Sequence, residues 1–166
     1  MIMMTKRADP AEQRRELRWF YRGWRPTRLG RTWNGVMAWV SGVGLTPPIL
    51  LTLQVNGRSS GHVRTNVLVP ATFGGQRYLV SMLGDGSDWV RNVRAAGGEA
   101  FIKRGRVWPV MLTEIPPAGR APILKAYCTV ATSGRHHFPV PPSAPLAEFE
   151  AIAADYPVFR IDPAVR

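Results

Sequence analysis

The sequence is poor in cysteine, histidine, lysine and acid, and each shortage removes a class of chemistry. Cys128 stands alone among 166 residues. No disulfide can therefore close within the chain, and a reducing compartment is the simplest setting. One cysteine and three histidines (His62, His136 and His137) provide no zinc-ligand spacing, so no metal is expected. The opening Met1–Arg7 lacks the apolar core of a secretory signal, which makes a cytoplasmic setting the expectation. Residues 32–57 carry no charge, but Gly35, Gly42, Gly44 and the Pro47-Pro48 pair interrupt them. A spanning helix needs about 20 predominantly apolar residues, and a proline pair breaks one. No transmembrane helix is expected.

What is abundant is arginine. Lysine and arginine number 22 against 11 acids, a formal net charge of +11, and only Lys6, Lys103 and Lys125 are lysines. Such a field concentrates anionic partners, and the planar guanidinium fork suits phosphate and carboxylate. Nucleic acid, acidic lipid and a polyanionic small molecule all meet that demand. A high-GC genome would also raise arginine whatever the partner. Nucleic acid ranks last, because the strands lack the interleaved aromatics of a stacking platform. The six tryptophans suit a core, a flat aromatic ligand or a membrane interface.

Length and a hydrophobic fraction of 45% fit one folded domain. Asp9-Pro10 opens a helix, and Leu17, Phe20, Tyr21 and Trp24 follow at helical spacing among arginines. A second helix is expected over about 28–43. Residues 1–45 thus read as a basic amphipathic arm, which can pack on its own domain, on a partner subunit or on an acidic membrane. Residues 46–166 read as one α+β unit. Short strands over 49–55, 62–69 and 77–82, divided by glycine-rich turns, form an antiparallel meander. A helix capped at Ser87, a hairpin around Arg104-Gly105, helices over 117–132 and 145–156, and a closing strand over 158–161 complete it. About six strands are expected.

The turn Gly57-Arg58-Ser59-Ser60-Gly61 offers backbone amides, two hydroxyls and a guanidinium within five residues. Such a turn can hold an anion, and Arg64 is expected to point back to it. It is neither a phosphate-binding loop of the Gly-Lys-Ser/Thr kind nor a dinucleotide fingerprint. It is followed by Arg64-Thr65, Arg77-Tyr78-Leu79-Val80-Ser81, Gly84-Asp85-Gly86 and Trp89-Val90-Arg91-Asn92-Val93-Arg94-Ala95. Over about residues 49–112 this ordered set resembles the deazaflavin-dependent nitroreductase family.

The resemblance implies a split β-barrel, often dimeric, that binds coenzyme F-420 and passes its hydride to a small apolar acceptor such as a quinone, enone or nitroaromatic. It implies cofactor contacts from Arg58, Ser59, Ser60, Gly61, Arg64 and Thr65, and from Met82, Gly84, Gly86, Trp89 and Asn92 around the ring. Candidate proton donors are Ser81, Tyr127, His136 and His137. Tyr127 on a helical face also reads as core, and Cys128 beside it as buried and inert. Ser59 stands where the family usually has lysine, and Asn66-Val67 where it usually has Pro-Leu. Two alternatives therefore stay open: a non-catalytic lipid or fatty-acid binder on the same fold, peripheral on the inner face of the cell membrane, and an FMN-binding relative.

Overall fold

The structure, a computed structural model, describes residues 50–164 and the backbone of residues 21–22 and 25–26. Within the arm, Tyr21–Arg22 (β1) pairs antiparallel with Arg25–Pro26 (β2). At Tyr21, Arg22 and Arg25 the expected first helix is corrected. Pro26 has no amide to donate and disfavours a helical Arg25. The remainder of both expected arm helices lies outside the described residues.

The domain proper opens with the hairpin of Leu51–Asn56 (β3) and Val63–Leu68 (β4). A second hairpin joins Pro70–Phe73 (β5) to Gln76–Val80 (β6). Helix α1 (Asp88–Ala95) follows, then the hairpin of Glu99–Arg104 (β7) and Arg106–Glu114 (β8). Helices α2 (Ala121–Val130) and α3 (Leu146–Ile152) precede the closing strand Val158–Pro163 (β9). The expected helix over 117–132 divides into a 3-10 turn at Pro117–Gly119 and α2. The sheet has seven strands in the order β4-β3-β7-β8-β9-β6-β5, antiparallel throughout.

That order forces curvature. In a flat sheet the edge strands β4 and β5 would stand six spacings apart, about 29 Å. They are joined by Val69 alone, and two residue steps reach at most about 7 Å. The sheet therefore rolls until its edges meet at Val69, producing an incompletely closed barrel: the split β-barrel that the sequence led us to expect. The strand not foreseen is β5, which continues β4 around the corner.

Alternation fills the barrel. Leu51, Leu53 and Val55 point inward with Leu79, Ala100, Ile102, Val110, Leu112 and Phe159, and α1 plugs one end with Trp89, Val90 and Val93. The Trp89 and Phe159 rings meet at 5.5 Å and 60°, a favourable tilted geometry. A second cluster packs Ile123, Leu124, Tyr127 and Cys128 of α2 and Phe149 of α3 on Ala71, Val80 and Val158. Buried Arg120 bonds the carbonyls of Ile115 (2.7 Å) and Ala153 (3.2 Å), and its Nη2 lies 3.0 Å from Glu114. Glu114 also clasps Arg94, which reaches Asp85 at 2.7 Å. Glu114 thus ties α1 to the approach to α2, and Arg94 extends the link to the 84–87 loop through Asp85.

Two glycines end α1, and they differ in what surrounds them. Gly98 has φ +91°, and a Cβ there would stand 2.6 Å from the Leu112 carbonyl oxygen. Gly97 has φ +61° with nothing within 4 Å. Gly98→Ala is expected to cost roughly 2–4 kcal/mol, from left-handed strain plus displacement of β8. Gly97→Ala should cost only about 1–2 kcal/mol, from strain alone. Urea unfolding of both variants checks this, and equal losses would mean that β8 yields freely at Leu112.

Candidate functional site

A cleft of about 730 Å³ runs along β4. One long side is β4 itself; the other is built from the end of β6, residues 81–83, the start of α1, Tyr127 and the Ser133-Gly134 segment. As an edge strand, β4 is bonded only to β3, so the wall it forms is supported from one side.

The polar end is the β3–β4 turn. Gly57 donates to the His62 carbonyl and Gly61 to that of Gly57, both at 2.8 Å, and Gly61 takes φ +68°. Among the described residues the amides of Ser59 and Ser60 have no partner, so both are available to a ligand. The backbone amide of Arg58 and its Nη1 both donate to Asn92 Oδ1, at 3.2 and 2.9 Å, and its Nη2 lies 3.1 Å from Asp88. Asn92 is 5% exposed; it acts as the strut between turn and helix. Arg64 does turn back, its Nη2 donating to Ser60 Oγ at 3.4 Å, and it has no ion pair among the described residues. A Cβ on Gly57 would stand 3.0 Å from Ser60 Oγ and 3.3 Å from Arg64 Nε. A larger residue at the start of the turn would therefore make Ser60, Arg64 or the His62 carbonyl (3.2 Å away) give by a few tenths of an ångström.

The other end is apolar, lined by Val67, Leu68, Val69, Val80, Met82, Leu83, Trp89 and Tyr127. Tyr127 is buried, with its hydroxyl 3.7 Å from Met82 Sδ. Gly134 makes that arrangement possible, since a Cβ there would approach the Tyr127 hydroxyl to 2.6 Å.

Ser81 donates to the Gly84 carbonyl at 2.7 Å and lies 2.7 Å from Ser87 Oγ. A hydroxyl has one proton. With Ser81 committed to a carbonyl, Ser87 must be the donor between the two. Ser87 does stand at the N-cap position, but its side chain makes no cap bond to α1; it braces the loop instead.

Of the residues the sequence singled out, the cleft brings together Arg58, Ser59, Ser60, Arg64, Thr65, Ser81, Met82, Trp89, Asn92 and Tyr127. Gly61, Gly84 and Gly86 shape the adjoining turns without lining it. His136 and His137 stand in a 3-10 turn over Gly134–His137, also outside the lining. Burial, with His136 nearby, holds His137 below the ordinary imidazole value. Cys128 is fully buried, its thiol pushed up to about 11 by burial, which leaves it unreactive. Sequence reasoning missed Asp88, the partner of Arg58 from 30 residues away, and the apolar wall of β4.

Fold and site define a split-barrel protein with an amphipathic cleft along β4. No family profile matches the chain, and no curated protein does. Solved structures resemble it at low identity. An F-420-H2-dependent reductase has 21% identity and a TM-score of 0.41, over 69% of this chain and 95% of its own. An F-420 reductase has 16% identity and a TM-score of 0.43, over 76% and 93%. A heme-binding protein from Mycobacterium smegmatis has 12% identity and a TM-score of 0.48, over 75% of this chain and 50% of its own. At these scores the likeness assigns neither ligand nor activity.

Two outcomes test the local geometry. Ser81→Ala strands the Gly84 carbonyl and the Ser87 hydroxyl, so it should cost about 1–3 kcal/mol in denaturant unfolding; an unchanged midpoint would remove the brace. His137 has a folded pKa below its unfolded value, so the unfolded chain binds more protons between the two values. Stability should therefore rise with pH from that depressed value to about 6.5 and level off above it. His137→Gln should flatten this rise in melting temperature below about pH 6.5.

Proposed function

We propose that the cleft binds the anionic coenzyme F-420 and that the protein is a reductase acting on a small apolar acceptor. The observation that carries this reading is the union, on one strand, of an anion-holding turn and an apolar trough. From Val63 to Val69 is about 20 Å of extended chain, so a ligand charged at one end and flat and apolar at the other meets both. Ser59 and Ser60 offer two amides, and Arg64 a guanidinium, to a phosphate. Arg58 keeps the turn against α1 through Asn92 and Asp88. Met82, Leu83, Trp89 and the β4 side chains suit a planar ring and exclude water from it.

Bound there, a reduced deazaflavin supplies the hydride. The chain's own task is to orient the acceptor and hold a proton. Of the four proposed donors, only Ser81 and Tyr127 line the cleft; the Ser81 proton is held by the Gly84 carbonyl, a strong acceptor, and the Tyr127 proton faces the weakly accepting Met82 Sδ. Tyr127 is therefore the donor we favour, and Tyr127→Phe should lower turnover more than affinity.

One observation favours a second reading. Arg58 and Arg64 against Asp88 leave a single net positive charge at the polar end, and Ser59 adds none. That suits a fatty-acid carboxylate as well as a phosphate, so a non-catalytic lipid binder is the alternative; an FMN relative is the third.

Fluorescence titration with F-420 decides among them, with Arg64→Ala and Arg58→Ala in parallel. Saturable binding that each substitution weakens by about tenfold, roughly 1.4 kcal/mol, is expected. Absence of F-420 binding would sink the reductase reading. Tight FMN binding, or a fatty acid carried through purification, would then name the successor.

A further inference from the structure

Near its turn, the β7–β8 hairpin carries an outer edge on β8 that has no partner strand among the described residues. Pairing of β7 with β3 ends at Thr52↔Lys103, and pairing of β8 with β9 begins only at Val110↔Pro163. Val107, Trp108 and Pro109 thus lie against residues 101–103, which are backed by β3, and have no strand on their other side among the described residues; the ribbon turns at Gly105, which takes φ +70°. Pro109 has no amide to offer a further strand, which keeps this free edge from pairing.

The ribbon presents apolar surface on both faces. Val107 is 52% exposed, Trp108 53% and Phe101 47%, and Pro109 is exposed beside Phe101, its register partner. Val107 lies opposite Lys103 on the outer face, while Trp108 lies opposite Ile102 on the barrel side. Lys103, Arg104 and Arg106 surround this tip, and none has an ion pair among the described residues. No acid occurs between Glu99 and Glu114. The main chain leads into β3 at Leu50, on this same end of the barrel.

We propose that this hairpin tip is a docking site for an acidic membrane surface, separate from the cleft. Trp108, Val107 and Phe101 enter the interfacial layer, where an aromatic ring and short apolar chains gain by leaving water. The three cations flank them at headgroup level, their stems along the apolar side chains and their charges on lipid phosphates. A nucleic acid would use the same charges and could stack on Trp108, but it offers nothing to Val107 and Pro109. A membrane uses all of these residues.

Co-sedimentation of the full chain with vesicles tests the proposal. Phosphatidylcholine vesicles containing phosphatidylglycerol should pellet the protein, and phosphatidylcholine alone should do so far less. Trp108→Ser and the pair Arg104→Glu with Arg106→Glu should each lower the partition coefficient about tenfold, with circular dichroism and melting temperature unchanged. The charge pair gives an answer even if the tryptophan substitution disturbs folding. Variants that pellet like the unaltered protein would overturn the proposal. So would a protein that is dimeric in sedimentation velocity and becomes monomeric on Trp108→Ser without loss of vesicle binding, since the tip would then meet a second copy. F-420 titration of the same variants should be unchanged, so failure here and failure of the reductase reading are distinguishable.

Discussion

Val69 is the constraint on which the rest of this structure depends. It joins strands that are opposite edges of one seven-stranded sheet, and no flat arrangement lets a single residue cross that distance. The rolling that results places inward side chains of distant strands against one another and makes room for α1 as a plug. It also leaves β4 without a second strand neighbour, and the cleft runs along that open side of β4. Barrel and cleft are therefore two consequences of the same connection.

The electrostatics of the site are less lavish than the charge of the chain suggests. Asp85, Asp88, Glu114 and Asp162 each pair with an arginine. These pairs are largely solvent-facing, and their individual contributions to stability are small. Their value is positional: Asp88 and Asn92 fix Arg58 against α1, and Glu114 gathers Arg94 and Arg120. The described cations without an ion pair include Arg64 in the cleft and Lys103, Arg104 and Arg106 on the β7–β8 hairpin.

Much of the architecture was legible because its signals are local. Alternation and glycine turns located β3, β4, β6 and the β7–β8 hairpin, and Ser87 with Gly97-Gly98 bracketed α1. The motif order led to the turn at 57–61 and to Trp89 and Asn92, all of which meet at the cleft or its rim. What escaped was non-local. The bend at Val69-Pro70 reads as the end of a strand, and only sheet order shows that the chain continues as β5. The bond from Ser87 to Ser81, in place of a helix cap, depends on how β6 and α1 approach. His136 and His137 were chosen for their chemistry, and nothing in their spacing could show that their turn carries Gly134 to the cleft while they remain outside it.

The two walls of the cleft are built to different stiffness, and this bears on how it accepts ligands. The α1 wall is cross-braced: Ser81 and Ser87 bond each other, Gly84 accepts from Ser81, and Asn92 and Asp88 hold Arg58. Buried Val90 and Val93 anchor that wall in the barrel core. The β4 wall has one hydrogen-bonded neighbour, and its side chains are exposed or half-buried from Val63 to Leu68. Local opening is cheapest where buried contacts are fewest, so a ligand's shape is accommodated mainly by movement of β4, while α1 keeps its groups in place. Binding then bears an ordering cost on β4 alone. On the proposed reductase reading, this division would give one fixed face for orienting a ring and one adaptable face for acceptors of differing size.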